Sequence, residues 1–115
     1  MNKPKKSSAK AVAAAKPAKL TRRQLPPALK AAIEASLNKK AEAVVVLDLR
    51  AAVTFTEFFL IMTGMNVRQT AALAEAIEHD LKAMNLRPIG TEGEARGEWI
   101  LMDYGWFIVH IFSPA

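Results

Sequence analysis

Two apolar stretches of strand length most restrict the folds open to this chain: Ala43-Val44-Val45-Val46-Leu47-Asp48-Leu49 and Phe58-Phe59-Leu60-Ile61-Met62-Thr63. A strand with one wet face alternates apolar and polar residues, because successive side chains point to opposite faces. Neither stretch alternates. The β-branched run from Ala43 reads as a central strand covered on both faces, which predicts helices on both sides of a sheet. Gly64 stops the second stretch.

The helices announce themselves by their starts and spacing. Pro26 and Pro27 suit a first helical turn, where a missing N–H costs nothing. Leu29, Ile33 and Leu37 then follow at i, i+4 and i+8, and the pattern fades at Asn38-Lys39-Lys40. Thr54-Phe55-Thr56-Glu57 has the spacing of a capping box and predicts a single helical turn. Asn66-Val67-Arg68-Gln69 is a cleaner start, with Asn accepting from the third residue's N–H while Gln reaches back. Leu73, Ile77 and Leu81, flanked by Ala74 and Met84, continue one apolar face, with Glu75, Glu78, His79 and Lys82 opposite and Asn85 and Pro88 at the end. Beyond lie an extended piece near Leu86 to Ile89, a loop from Gly90 to Gly97, and two strands, Glu98 to Asp103 and Trp106 to Phe112, joined as a hairpin around Tyr104-Gly105. The order predicts an α/β or α+β layer with a mixed sheet of about five strands and helices on both faces.

Charge divides the chain. Of 16 Lys and Arg, eight lie in residues 1–23, which hold no acid; residues 24–115 keep eight cations against 11 Asp and Glu, a net of −3. The first 23 residues are nearly all Lys, Ala, Pro and Ser, too poor in apolar area to offset the entropy of ordering, so they read as a disordered basic tail before a domain at 24–115. Such an arm binds polyanions loosely, with affinity that falls steeply as salt rises. A purely solvating tail and a mitochondrial presequence are the other readings, the second weakened by the Lys-rich, Pro-broken composition. The absence of cysteine rules out a disulfide scaffold, a zinc-thiolate site and a cysteine nucleophile together. No apolar run approaches the roughly 18 residues of a membrane span, so a soluble intracellular protein is expected.

A catalytic site needs converging groups, and the residues offer none. His79 falls on the polar face of the long helix; His110, within Val109-His110-Ile111, reads as a hydrogen-bonded structural histidine. Asp48-Leu49-Arg50 ends a buried strand, where ligand groups often sit, but a two-metal site would need a carboxylate where Arg50 stands. Thr63-Gly64-Met65 has one glycine, a weak phosphate signal, and no GxGxxG, GKS/T, GxSxG or HExxH spacing exists. No catalytic residue, metal or cofactor is expected. A binding surface has more support: Trp99 and Leu101 point away from Ile100, Met102 and Tyr104, and an aromatic from either set is either core or an interface anchor.

Five segments in register carry a family resemblance. Val44-Val45-Val46-Leu47-Asp48-Leu49-Arg50, Thr56-Glu57-Phe58-Phe59-Leu60-Ile61-Met62-Thr63-Gly64, Arg68-Gln69, Gly97-Glu98-Trp99-Ile100-Leu101-Met102-Asp103-Tyr104-Gly105 and Val109-His110-Ile111-Phe112 resemble the ribosomal silencing factor, or Iojap, family over residues 25–115. The resemblance implies a domain like a nucleotidyltransferase core without its catalytic carboxylates, and hence no enzyme. It implies binding to the large ribosomal subunit through universal large-subunit protein fourteen, steric exclusion of the small subunit, and repression of translation in starvation; the Lys-rich arm points to a bacterial cytoplasm rather than an organelle. Trp99 and Tyr104 match the family's aromatics and are the leading partner-binding candidates, followed by Asp103 and Leu101; Arg68 also matches, while Phe58 and Phe59 fit packing roles. Glu57 stands where Asp is usual, Asn66 replaces Ser, and Trp106 replaces a polar residue. The sequence stops at Ser113-Pro114-Ala115, where members usually continue into an aromatic and acidic segment. The +8 arm is expected to touch ribosomal RNA weakly, and a homodimer off the ribosome stays open. The alternatives are a nucleotidyltransferase-like enzyme and a nucleic-acid-binding module acting through the arm.

Overall fold

A computed structural model describes residues 24–52 and 54–114; the basic tail, residues 1–23, lies outside the described residues. Helix α1 (Pro27–Asn38) starts on Pro26, whose carbonyl accepts from Lys30 N at 3.1 Å, and ends as Lys40 turns to φ 64°. Strand β1 (Glu42–Asp48) follows, then β2 (Phe58–Thr63), helix α2 (Val67–Lys82), β3 (Gly90–Glu92), β4 (Trp99–Asp103) and β5 (Phe107–Phe112). The strands form one mixed sheet in the order β1-β2-β5-β4-β3, parallel only between β2 and β5. The expected five-stranded α+β layer is therefore present.

Helix α2 starts as its sequence dictates: Asn66 Oδ1 accepts from Gln69 N at 2.9 Å. Gln69 reaches back one residue further than a capping box requires, accepting from Met65 N at 2.6 Å, while its amide nitrogen donates to the carbonyls of Lys39 (2.9 Å) and Lys40 (3.1 Å). One side chain thus satisfies groups at the start of α2 and the end of α1, where backbone partners run out. Leu73, Ile77 and Leu81 are fully buried, and truncating any of them to Ala would cost about 2–5 kcal/mol.

Two layers of apolar contacts flank the sheet. On one face Phe58, Leu60, Met62, Ile100, Met102, Phe107, Val109 and Ile111 join Leu29, Ile33, Leu73 and Ile77 from both helices. On the other, Leu47, Leu49, Phe59 and Ile108 cluster, with Ile61 and Leu101 against them. Among the described residues both helices lie on the same face, where the sequence reading expected one on each side, and β1 is an edge strand, where a central one was expected. The continuous apolar run has a different cause. Val44 and Val46 pack toward the helices, Leu47 and Leu49 toward the opposite cluster, and a register shift between Glu42 and Val45 with Ala43 at φ 51° breaks the alternation. The capping-box spacing at Thr54 makes no helical turn; Thr56 Oγ1 instead donates to Gly105 O at 3.0 Å. The third strand begins at Gly90, just after the piece expected to be extended, with Ile89 N donating to Asp103 O at 2.6 Å.

Candidate functional site

The register sorts the candidate residues onto faces. Trp99 pairs with Phe112, Leu101 with His110 and Asp103 with Ile108, and β5 in turn aligns Ile108, His110 and Phe112 with Phe59, Ile61 and Thr63 of β2. All of these side chains point away from the two described helices. Trp99, Leu101 and Asp103 thus form one row along β4, each partly buried.

Aromatic stacking fixes the row's upper end. The Trp99 ring stacks on Phe112 at 5.4 Å between centroids and on His110 at 6.1 Å, and its indole Nε1 donates to His110 Nδ1 at 3.3 Å. An accepting Nδ1 leaves the proton of a neutral imidazole on Nε2, which is buried without a partner. The ring also meets the edge of Phe59 at 4.6 Å. Burial pushes the His110 pKa down to about 4, so the imidazole is neutral at physiological pH. The structural role expected of His110 is thus the one it has. At the lower end, Asp103 Oδ1 accepts from Gly105 N at 2.8 Å and holds the β4–β5 turn, where Gly105 takes φ 89°.

Tyr104 belongs elsewhere, and its candidacy for direct partner contact is corrected here. It is 7% exposed, lies in the helix-side core and stacks on Phe107 at 4.9 Å with the rings 6° from parallel. Its hydroxyl is buried without a partner, and burial, with the Glu78 carboxylate adding to it, pushes the pKa up to about 12. The reason is geometric: Tyr104 shares the phase of Ile100 and Met102, so the turn carries it under the helices. Arg68 is exposed on the first turn of α2, in the helix layer. It sits at the Trp99 end of the sheet, because Thr70 Oγ1 donates to Gly97 O at 2.6 Å and ties α2 to the loop entering β4. The structure therefore unites Trp99, Leu101 and Asp103, leaves Arg68 in the helix layer and separates Tyr104 from them.

The strand-end Asp48-Leu49-Arg50 is occupied with itself. Arg50 donates to Asp48 through Nε (2.9 Å) and NH2 (2.7 Å), and these hydrogen bonds hold the Asp48 carboxyl below its ordinary value. His79, on the exposed side of α2, contacts Asp80 at 3.2 Å. Among the described residues no group of three or more His, Asp or Glu could hold a metal, and no helix is long and apolar enough to cross a membrane. Sequence reading missed the partnership of His110 with Trp99; the two sit 11 residues apart on strands it had already paired, so the hairpin register carried the signal.

A mixed sheet backed by helices on one face, with a row of aromatic and apolar side chains on the other, defines the class as an α+β domain. Comparison with known proteins makes this specific. The family described as "Ribosomal silencing factor during starvation" matches residues 22–115, and the chain belongs to it. A ribosomal silencing factor from Chromobacterium violaceum is 35% identical over 86 residues, covering 75% of this chain and 70% of that protein; one from Halalkalibacterium halodurans is 32% identical over 84 residues, covering 73% and 72%. The chloroplastic protein Iojap of Zea mays is 30% identical over 81 residues, which are 70% of this chain and 35% of that one. Among solved structures, a Chromobacterium violaceum protein superposes with a TM-score of 0.73 at 30% identity, over 83% of this chain and 77% of its own. A Bacillus halodurans protein gives 0.69 at 32%, over 74% and 79%. The family is regulatory, acting on translation.

Proposed function

We propose that this chain binds the large ribosomal subunit through universal large-subunit protein fourteen, using the sheet face that carries Trp99, Leu101 and Asp103, and so keeps the small subunit from joining. The observation that carries the reading is the row itself: a stacked tryptophan, an aliphatic residue and a carboxylate, aligned on one strand and turned away from both described helices. An aromatic anchor beside an apolar residue with a charge at the rim is the arrangement from which protein interfaces draw most of their affinity. The net charge of −3 on residues 24–115 suits a basic ribosomal protein and speeds encounter with it. No bond is made or broken. The bound fraction of large subunits, set by concentration over the dissociation constant, leaves the joining equilibrium, and the setting is a bacterial cytoplasm. A weak contact of the +8 arm with ribosomal RNA rests on charge alone; deleting residues 1–23 then flattens the salt dependence of subunit binding.

Sucrose-gradient sedimentation tests the proposal. The protein should cofractionate with free large subunits, and adding it should deplete joined ribosomes. Trp99→Ala and Leu101→Ala should abolish both effects while circular dichroism stays native. Migration at the top of the gradient at every dose would sink the reading, and full activity of Trp99→Ala would remove this face from it.

A further inference from the structure

We infer that the cleft between residues 54–57 and the β4–β5 turn receives a lysine or arginine side chain from the docking partner. The cleft has a volume of about 520 Å³ and is lined by Phe55, Glu57, Gly105 and Trp106, with Leu49 and Arg50 at its side. Phe55 is 67% exposed, an unusual position for a phenylalanine that nothing in the fold requires to face water. Trp106 is fixed from behind by edge contacts with Phe107 at 4.5 Å and Phe58 at 6.2 Å. The two walls are clamped together: Thr56 Oγ1 donates to Gly105 O at 3.0 Å, and the backbone N–H groups of Glu57 and Phe58 donate to Trp106 O at 2.9 and 3.2 Å.

The charges select the occupant. Arg50 is already satisfied, with both hydrogen bonds to Asp48 and its guanidinium 5.1 Å from the Phe58 ring centre. Glu57 is exposed and forms no ion pair among the described residues. Two ring systems beside two carboxylates, Asp48 and Glu57, that share the single Arg50 cation match one chemistry, a cation on an apolar stem: the methylenes lie along the rings and the charged head meets Glu57. An anion would meet this net negative charge, since the Arg50 guanidinium is bonded to Asp48 and lies within Coulombic reach of Glu57 as well.

The cleft lies at the end of the sheet, tied to the proposed docking row by the hydrogen bond from Gly105 N to Asp103 Oδ1, and its Trp106 wall packs on the helix-side core, so a basic partner surface reaching round the sheet end would fill both. In assigning the cation to that partner, the inference rests on the function proposed above. Ile89, 76% exposed, forms the apolar rim beside Gly105.

Two measurements decide it. The ¹⁵N-labelled full chain is titrated with N-acetyl-lysine amide and N-acetyl-arginine amide, with N-acetyl-glutamate amide as control. Shifts should gather at the amides of Phe55, Glu57 and Gly105 and at the Trp106 indole, for the cations only, and vanish in Glu57→Gln. Absent shifts, shifts spread over the acidic residues of α2, or shifts unchanged by Glu57→Gln overturn the assignment. In large-subunit sedimentation, Phe55→Ala and Glu57→Gln should each weaken binding roughly three- to tenfold, and Glu57→Lys more. Wild-type affinity in all three overturns it while leaving the docking row standing. If the wild-type chain itself fails to sediment with subunits, the proposed function has failed, and the amide titration still decides whether the cleft takes a cation.

Discussion

Lowering the pH from 7 to 5 is expected to strip about 2 kcal/mol from the stability of this domain through His110 alone. The imidazole is 7% exposed, its Nδ1 accepts from Trp99 Nε1, and burial takes its pKa from 6.5 to about 4. Between those two values the unfolded chain binds a proton that the folded chain refuses, so stability rises with pH across the window. The contribution is complete above 6.5, is lost as pH falls toward 4, and amounts in full to about 3 kcal/mol at about 1.4 kcal/mol per unit. Against the 5–15 kcal/mol typical of a small domain this is readily measured. Asp48 does not confuse the reading, because its carboxyl is held below 3.8 and titrates at lower pH. Urea unfolding followed by circular dichroism at pH 5, 6 and 7 gives the slope. His110→Gln keeps an acceptor for the indole but removes the titration, and should lose most of that slope. Equal slopes in the two proteins, or a His110 ring resonance titrating near 6.5, would refute the argument.

Other residues give sharper local tests. Tyr104→Phe removes a buried hydroxyl that has no partner, so thermal unfolding should show it neutral or up to about 1 kcal/mol more stable, with subunit binding unchanged. A carboxylate there, Tyr104→Asp, should unfold the helix-side core. Asn66→Ala removes the cap of α2 and should cost about 1 kcal/mol by urea titration. Gly93→Ala puts a Cβ onto Trp99 O at a φ of 86°, so the entry to β4 must move; a perturbed Trp99 indole resonance and weakened subunit binding should accompany the lost stability.

Much of this fold was legible because local chemistry decided it. Asn66 and the stripe Leu73, Ile77, Leu81 specify α2 with little help from elsewhere, and Tyr104-Gly105 between two apolar runs specifies the β4–β5 hairpin. Alternation also separated Trp99 and Leu101 from Tyr104 before any coordinates, although it could not say which set faced the helices. What failed was long-range. The valine run of β1 looked central because both its faces are apolar, yet its partners are a helix-side core and a small opposite cluster, and sheet order is set by pairing across the whole chain. Thr54 to Glu57 failed for the same reason, since Gly105, 49 residues from Thr56, outcompeted a local turn for the hydroxyl.

The irregularity in β1 bears on how the protein survives at high concentration. A free strand edge rich in valine invites a neighbouring molecule to extend the sheet, and repetition of that step leads to fibrils. Here Glu42 puts a charge at the start of the edge, and the left-handed backbone at Ala43 breaks the ladder before it reaches Val45, leaving only Val45–Asp48 straight enough to recruit another chain. The opposite edge, Gly90–Glu92, is three residues long. Straightening the kink by changing the sequence around Ala43 would lengthen the exposed template, and slow aggregation on storage, rather than any change at the Trp99 row, would be its first symptom.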